Sequence, residues 1–200
     1  MQYKSGDIIF TQIGNEENAI SAVTEGYKGA RVNHMGVIVT NSQGIFVIEA
    51  FPPEVRLTSI AVFLRRSNDP VNGASRYIIA RLNQDYQSLI PAAIAYGIST
   101  RNTPYDELYL TDEDKLYCSE LVVDMFKEAN NGKEFFPENP MNFRDTATGI
   151  IHPAWQAYYD YFGMQVPQGQ PGSNPGDISK DDKISILVVN GPITGYDPTA

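Results

Sequence analysis

The chain has 200 residues, of which 42% are hydrophobic and 20% charged, and it carries a net charge of −9 and one cysteine. This length predicts a single domain over residues 1–200 that buries about 70% of its unfolded surface and needs no disulfide or metal for stability. The acidic balance argues against a nucleic-acid-binding protein, which would show a basic face, and one cysteine excludes an internal disulfide framework.

The chain shows no signal for membrane insertion. No run of residues approaches the roughly 20 apolar positions of a transmembrane helix. The opening sequence MQYKSGDIIF lacks the basic region and apolar region of a signal peptide. The sequence as given therefore predicts a cytoplasmic protein, or a periplasmic or secreted one if a leader has been removed. It does not predict an oligomeric state.

The first part of the chain is mostly strand-like. The alternating, β-branched segment GDIIFTQ predicts a strand over residues 6–12, and apolar residues at helical spacing from residue 18 to 29 predict a short helix that ends near Gly26 or Gly29. HMGVIVT and IFVIEAF predict two strands of a hairpin joined by the turn residues NSQG. A polar loop over residues 67–75 then leads into another predicted strand, RYIIARL.

The second part begins with helices. Residues 85–99 predict a helix in which Pro91 either lies in the first turn or causes a kink. Residues 118–130 predict the clearest helix, with one apolar face and an Asn131-Gly132 stop. The region 137–176 is rich in Pro, Gly and Tyr and predicts one short helix around Trp155. After the turn-rich PGDISKDD, KISILVV predicts a final strand, so the fold class is α+β.

Cys118 is the candidate nucleophile because it lies at the start of the best-defined helix. There it faces the positive end of the helix dipole and free backbone N–H groups, which favour the thiolate and therefore predict a lowered pKa. The same N–H groups can stabilise an oxyanion. The alternative interpretation is that a lone cysteine is a small buried hydrophobic residue.

A catalytic thiol needs a base, and the chain has two histidines. His34 begins a predicted strand at a sheet edge, whereas His152 lies in the Pro-flanked IIHPAW and is expected to pack or to cap a helix. Glu49 ends the neighbouring strand of the predicted hairpin and can orient the imidazole of His34, as carboxylates do in catalytic triads. Asp7 is another candidate for that role, although its Gly-Asp context indicates a turn.

Other sites find little support in the sequence. It contains no GxGxxG, P-loop or HExxH motif, and two histidines without suitable carboxylate spacing predict no catalytic metal. Residues 112–114 form an acidic cluster that lacks the alternating ligands of a calcium loop and indicates a solvated helix approach or cap. No cofactor is predicted. The aromatic residues between Trp155 and Phe162 indicate core packing more than a pocket wall.

Five short motifs occur in a defined order: GDIIF, NHMGVIV, VIEA, TPYD and YCSELV. In this order they resemble the YiiX/YebB-like branch of the NlpC/p60 superfamily, from about residue 6 to residue 145. The usual order in that superfamily places the cysteine helix before the histidine strand. Here His34 precedes Cys118, which is the permuted order. The segment PGDISKDDKISILV resembles the closing strand of the family.

The resemblance implies a circularly permuted papain-like fold, with an antiparallel β-barrel or curved sheet packed against the cysteine-bearing helix. It implies Cys118 as nucleophile, His34 as base and Glu49 as the third polar residue. It also implies a polar or aromatic residue at the oxyanion site, for which Gln12, Tyr117 and Tyr105 are candidates.

The leading hypothesis is a thiol-dependent hydrolase or acyltransferase that acts on an amide or ester through an acyl-enzyme. The resemblance implies a cell-wall peptide, an amino-acid amide or a lipid-type acyl compound as substrate, and the sequence does not choose among them. The alternative is a non-catalytic module that binds a lipid or peptide in the same cleft. A plain structural domain would require Cys118, His34 and Glu49 to coincide by chance.

Overall fold

The computed structural model describes residues 2–14, 24–111, 114–145 and 147–200. Half of the helix predicted over residues 18–29 therefore lies outside the described residues, and its last part forms a 3₁₀ turn at Tyr27–Gly29. Asp112 and Glu113 of the acidic cluster also lie outside them. Within the described residues, no helix is long and apolar enough to cross a membrane.

The model contains one large sheet, one two-residue ladder and five α-helices among the described residues. The strands are β1 (Ile8–Thr11), β2 (His34–Asn41), β3 (Gly44–Phe51), β4 (Glu54–Ser59), β5 (Tyr77–Leu82), β6 (Asn139–Pro140), β7 (Pro171–Gly172) and β8 (Ile184–Asn190). The α-helices are α1 (Ile60–Arg65), α2 (Ile90–Ser99), α3 (Cys118–Ala129), α4 (Pro153–Tyr161) and α5 (Pro175–Ser179).

The large sheet has six strands in the order β4-β3-β2-β1-β5-β8. Every neighbouring pair is antiparallel. The sheet is open, with β4 and β8 at its edges. Of the two predicted forms of the α+β fold, a barrel or a curved sheet, the structure therefore has the sheet. The register of the central pair places His34 opposite Thr11.

The two faces of the sheet carry different apolar clusters because successive strand residues point to opposite sides. Ile8 and Phe10 of β1 belong to the main core, which includes the apolar face of α3. Ile9, between them, belongs to a smaller cluster around Phe63 of α1. The helix that carries Cys118 and the short helix α1 thus pack against opposite faces of the sheet.

The structure adds short elements that the pattern of the sequence did not predict. β4 and α1 fill residues 54–65, between the predicted hairpin and the predicted polar loop. The segment PGDIS forms the short helix α5, in which the Asn174 side chain caps the N-terminus. Pro91 lies in the first turn of α2, where its missing N–H breaks no helical hydrogen bond.

Candidate active site

Cys118 is the first residue of α3, and the local sequence explains why the helix begins there. Tyr117 is extended, with φ −96° and ψ 173°, and Glu120 Oε2 accepts a hydrogen bond from the Tyr117 N–H at 3.3 Å. This bond satisfies a backbone donor that the first helical turn leaves unpaired. Cys118 is 6% exposed.

The sulfur of Cys118 lies among backbone N–H groups but is buried. Burial raises the pKa of the Cys118 thiol to about 12, and the backbone hydrogen bonds from Ser119, Met35 and Cys118 itself only partly offset that effect. The negative charge of Glu49 raises the pKa further. The prediction of a lowered pKa from the helix dipole is therefore wrong for the unliganded protein, because desolvation of the thiolate outweighs the dipole.

The bond from the Met35 N–H exists because β2 and β3 separate at this point. Ile38 N–H donates to Asp7 on the β1 side, so the N–H of Met35, three residues earlier, points towards β3. The ladder between β2 and β3 nevertheless begins only at the Val37–Ile48 pair. The end of β2 is thus free to donate to Cys118, and the sulfur lies in a fork between the two strands.

Gly36 allows the two strands to approach closely just before this fork. A Cβ atom at position 36 would come within 2.6 Å of the Ile48 carbonyl oxygen. Real Cβ atoms do not come this close to a backbone oxygen, so a larger residue would force the strands apart. This close approach explains the glycine of the motif NHMGVIV.

His34 and Glu49 are in direct contact on the α1 face of the sheet. His34 Nε2 lies 2.6 Å from Glu49 Oε2, and both side chains are buried. The imidazole is held between the rings of Phe51 and Phe63, at centroid distances of 5.3 Å and 5.4 Å. Because Nε2 is bonded to Glu49, Nδ1 is the ring nitrogen that remains for a thiol proton.

Glu49 is itself anchored by two residues that the sequence did not single out. Thr58 Oγ1 and Arg66 Nη2 each donate to Glu49 Oε1 at 2.5 Å. Burial raises the pKa of Glu49, but the bond and charge of His34, the charge of Arg66 and the Thr58 bond outweigh it, so the net pKa is lowered. The Arg66 guanidinium also stacks on the Phe51 ring at 4.0 Å. No spacing rule links an arginine after α1 to a carboxylate on β3.

The three candidate oxyanion residues lie in different surroundings. The side-chain amide of Gln12 forms two hydrogen bonds with Thr194. Nε2 donates to Thr194 Oγ1 and Oε1 accepts from the Thr194 N–H, each at 2.9 Å. The Tyr117 hydroxyl lines a pocket beside Cys118 and accepts a bond from the Ser173 N–H at 3.1 Å. Tyr105 packs against the main core.

Tyr109 is a pocket residue that the sequence did not identify. It adopts a positive φ of 55°, and Asp106 supports this loop by accepting bonds from the N–H groups of Leu108 and Leu110 at 2.8 Å and 2.7 Å. Burial is the main cause that raises the pKa of both Tyr109 and Tyr105, whose hydroxyls bond to each other, and the charge of Cys118 acts on both. The TPYD motif therefore shapes the loop that carries a neutral phenol to the site.

The pocket beside Cys118 has a volume of about 70 Å³ and opens to solvent. This volume is smaller than that of a site which encloses a drug-sized ligand, so the pocket can enclose only part of a longer substrate. Trp155 of α4 contributes to its wall and also packs in a cluster with Phe143 and Tyr159. The aromatic residues after residue 154 therefore serve both core packing and the pocket wall.

The remaining candidates have structural roles. His152 caps α4, with Nδ1 accepting from the Ala154 N–H at 3.2 Å, as expected of a packing or capping residue. Asp7 accepts two bonds from Arg81, at 2.6 Å and 2.8 Å. Among the described residues, no group of three or more His, Cys, Asp and Glu side chains is arranged to hold a metal ion.

Comparison with known proteins agrees with this fold. Residues 2–188 match the model of a family described as "Permuted papain-like amidase enzyme, YaeF/YiiX, C92 family". A crystal structure described as metalloprotein yiiX from Escherichia coli O157:H7 is similar with a TM-score of 0.74 and 20% identity, over 96% of this chain and 100% of that chain. At this identity the likeness establishes the fold. A search of curated proteins found no match.

Proposed function

The chain belongs to the C92 family of permuted papain-like amidases, and on that basis we propose that it hydrolyses an amide bond through a covalent acyl-enzyme on Cys118. The observation that carries this proposal is the fork between β2 and β3. There the sulfur bonds to the N–H of Met35, the residue directly after His34, and His34 is bonded to a buried, anchored carboxylate.

The first step combines proton transfer with attack. Because burial keeps the Cys118 thiol protonated at neutral pH, His34 Nδ1 accepts the proton while the sulfur bonds to the carbonyl carbon of the substrate. Glu49 stabilises the imidazolium that results. This order of events does not require a thiolate in the unliganded enzyme.

The negative charge then develops on the former carbonyl oxygen. The N–H groups of Cys118 and Ser119 at the start of α3 are suitable donors, since they already bond to the sulfur. The neutral hydroxyl of Tyr109 lines the same pocket as Cys118 and is a third candidate donor. As the carbon–nitrogen bond breaks, the imidazolium returns its proton to the leaving amine.

The second step removes the acyl group from sulfur. His34 accepts a proton from water, the hydroxide bonds to the thioester carbon, and the carbon–sulfur bond breaks. The sulfur takes back the proton from His34 and the acid leaves. An amine in place of water would make the same site an acyltransferase, so the choice of second nucleophile separates transfer from hydrolysis.

The similar Escherichia coli structure is described as a metalloprotein, which raises the question of whether the side chains around His34 could hold a metal ion. His34 and Glu49 are bonded to each other, and Glu49 also bonds to the cationic Arg66. An arginine at this carboxylate disfavours a cation there, and the described residues offer no cluster of three ligands. The donor set does not fit a metal, and no step is assigned to one.

In the pH profile of kcat/KM, Arg66→Gln is expected to move the acidic limb to higher pH by about one pH unit. The charged groups around His34 are Glu49 on β3, Arg66 after α1 and Arg56 on β4, and the titratable thiol on α3 is protonated at neutral pH. Without the cation of Arg66, the charge of Glu49 acts more strongly on the imidazolium and favours the protonated, inactive base.

Arg65→Gln is the matched control, because the neighbouring Arg65 is exposed and the change in charge is identical. Arg66→Lys is expected to restore most of the original profile. An Arg66→Gln profile that coincides with that of Arg65→Gln would show that Arg66 acts only on stability.

The proposed function is tested by trapping the acyl-enzyme. The protein is mixed with p-nitrophenyl esters whose acyl groups include acetyl, octanoyl and suberoyl, quenched in acid and mapped by mass spectrometry. We expect one acyl adduct on Cys118, absent from Cys118→Ala, and hydrolysis of a corresponding p-nitroanilide. An unmodified Cys118 with every ester would favour the alternative of a non-catalytic lipid- or peptide-binding module.

A further inference from the structure

The wall of the pocket beside Cys118 is dominated by apolar side chains. It contains three aromatic rings in addition to that of Tyr117, together with one thioether: Tyr109, Phe143, Trp155 and Met141. No Asp, Glu, Lys, Arg or His side chain lines the pocket within the described residues. A charged group that entered this space would therefore lose water without meeting an opposite charge.

Two of the asparagines that line this pocket already have hydrogen-bond partners within the protein. Asn33 exchanges two hydrogen bonds with the backbone of Ile13, each at 2.8 Å. Asn174 bonds through Oδ1 to the N–H of Asp177 and through Nδ2 to its carboxylate, again at 2.8 Å. Their hydrogen-bonding atoms are thus used within the protein.

Ser119, Ser173 and Tyr117 of the wall also have hydrogen-bond partners within the protein. Ser173 Oγ donates to Ser119 Oγ at 3.0 Å, and the Ser173 N–H donates to the Tyr117 hydroxyl at 3.1 Å. Asn142, which is exposed, accepts from the Arg144 N–H and from Gln168 at 3.1 Å and 3.2 Å. The surface that remains for a ligand is therefore mainly rings and the thioether.

From this lining we infer that the pocket binds an uncharged, apolar acyl group, so that the substrate is an N-acyl amide with an alkyl or aryl chain on the carbonyl side of the scissile bond. The inference rests on the proposed function, because it places the acyl carbonyl at Cys118. Each methylene that becomes buried should strengthen binding by about fourfold. A carboxylate or ammonium on the chain should weaken binding strongly.

Aromatic contacts continue from the pocket wall towards solvent along α4. Trp155 contacts Tyr158 at a ring distance of 5.5 Å, and Tyr158 contacts Phe162 at 5.3 Å. Phe162 in turn contacts Tyr161, which is 85% exposed. An acyl chain longer than the pocket can therefore remain in contact with apolar surface. An amino-acid side chain is too short to use this surface.

Binding of one neutral and two charged amides tests the inference without relying on turnover. The Cys118→Ala variant is titrated with octanamide, with its anionic analogue suberamate and with its cationic analogue ω-aminooctanamide. Trp155 is the single tryptophan and lines the pocket, so its fluorescence reports occupancy. We expect octanamide to bind at least about tenfold more tightly than either charged analogue.

The cationic analogue separates pocket polarity from the overall charge of the protein. A net charge of −9 would favour a cation over a neutral ligand, whereas an apolar pocket disfavours both charged ends. A ratio below about tenfold for either analogue would overturn the inference. Met141→Lys, made in the same background, should tighten suberamate selectively, and Val71→Lys, in an exposed loop, is the control for the added charge.

Turnover distinguishes the failure of this inference from the failure of the proposed function. Octanoyl and suberoyl p-nitroanilides are compared in the wild-type protein. Hydrolysis that depends on Cys118 but does not prefer the octanoyl group would retain the function and reject the apolar acyl pocket. Selective octanamide binding without any hydrolysis dependent on Cys118 would retain the pocket and reject the function.

Discussion

Cys118→Ala and His34→Ala are each expected to lower kcat for amide hydrolysis by about 10⁴-fold or more, and the double variant should lose no more than either single variant. The reason is that thiol and imidazole act as one unit. Burial leaves the thiol protonated, so removal of the base leaves a poor nucleophile, and removal of the thiol leaves a base with nothing to activate.

The measurement is steady-state hydrolysis of one p-nitroanilide by all three variants, with unfolding midpoints to show that each is folded. His152→Ala provides the matched control. It removes the other histidine, whose ring caps α4, and should cost only about 1 kcal/mol of stability while retaining turnover. Additive losses in the double variant would show that Cys118 and His34 contribute separately, and would contradict the proposed proton transfer.

Glu49→Gln is expected to lower kcat by about 10²- to 10⁴-fold while the protein remains folded. If the new amide donates to His34 Nε2, the imidazole must carry its hydrogen on Nδ1, the nitrogen that has to accept the thiol proton. If the amide turns round, its NH₂ group faces the donors Arg66 and Thr58 instead. Either arrangement disturbs the base, and the lost charged hydrogen bond should cost about 2 kcal/mol of stability.

The stability of this variant should also depend differently on pH. The pKa of Glu49 is lowered in the folded protein, so its ionised form contributes stability that is complete above the pKa of the unfolded chain, near about 4.3, and is lost as the pH falls through the folded value. Glu49→Gln should remove this part of the acid sensitivity.

Thermal unfolding across the acidic range, measured beside Glu54→Gln, tests that expectation. Glu54 lies on β4, close in space to the end of β3, and is only half-buried. An acid-unfolding curve for Glu49→Gln that matches both wild type and Glu54→Gln would mean that Glu49 is protonated in the folded protein. A carboxylic acid could not then stabilise the imidazolium of His34.

Much of the sheet could be predicted because its signals are local. β-branched alternation predicts β1, β2, β3, β5 and β8, and the apolar face of residues 118–130 predicts α3 within one residue at its end. β4 was missed because it depends on pairing with β3 for its hydrogen bonds. α1 was missed because its six residues span less than two helical turns, which is too short for a helical period to show.

The candidate site was predictable to the extent that its residues lie at the ends of those elements. Cys118 begins a helix and His34 begins a strand, and the hairpin makes Glu49 a neighbour of His34. Tyr109, Thr58 and Arg66 could not be found in this way. They reach the site through a loop, an edge strand and the end of a short helix, so no spacing in the chain relates them to it.

The sequence by itself determined which residues can do the chemistry, their permuted order and the elements that carry them, since residue type and periodicity are properties of the chain. The pKa of the thiol, the fork that admits its sulfur, the anchoring of Glu49 and the apolar pocket were decided only by the tertiary structure. Desolvation and the approach of distant charges depend on what packs around a group, and that packing is absent until the sheet and its two layers of helices have assembled.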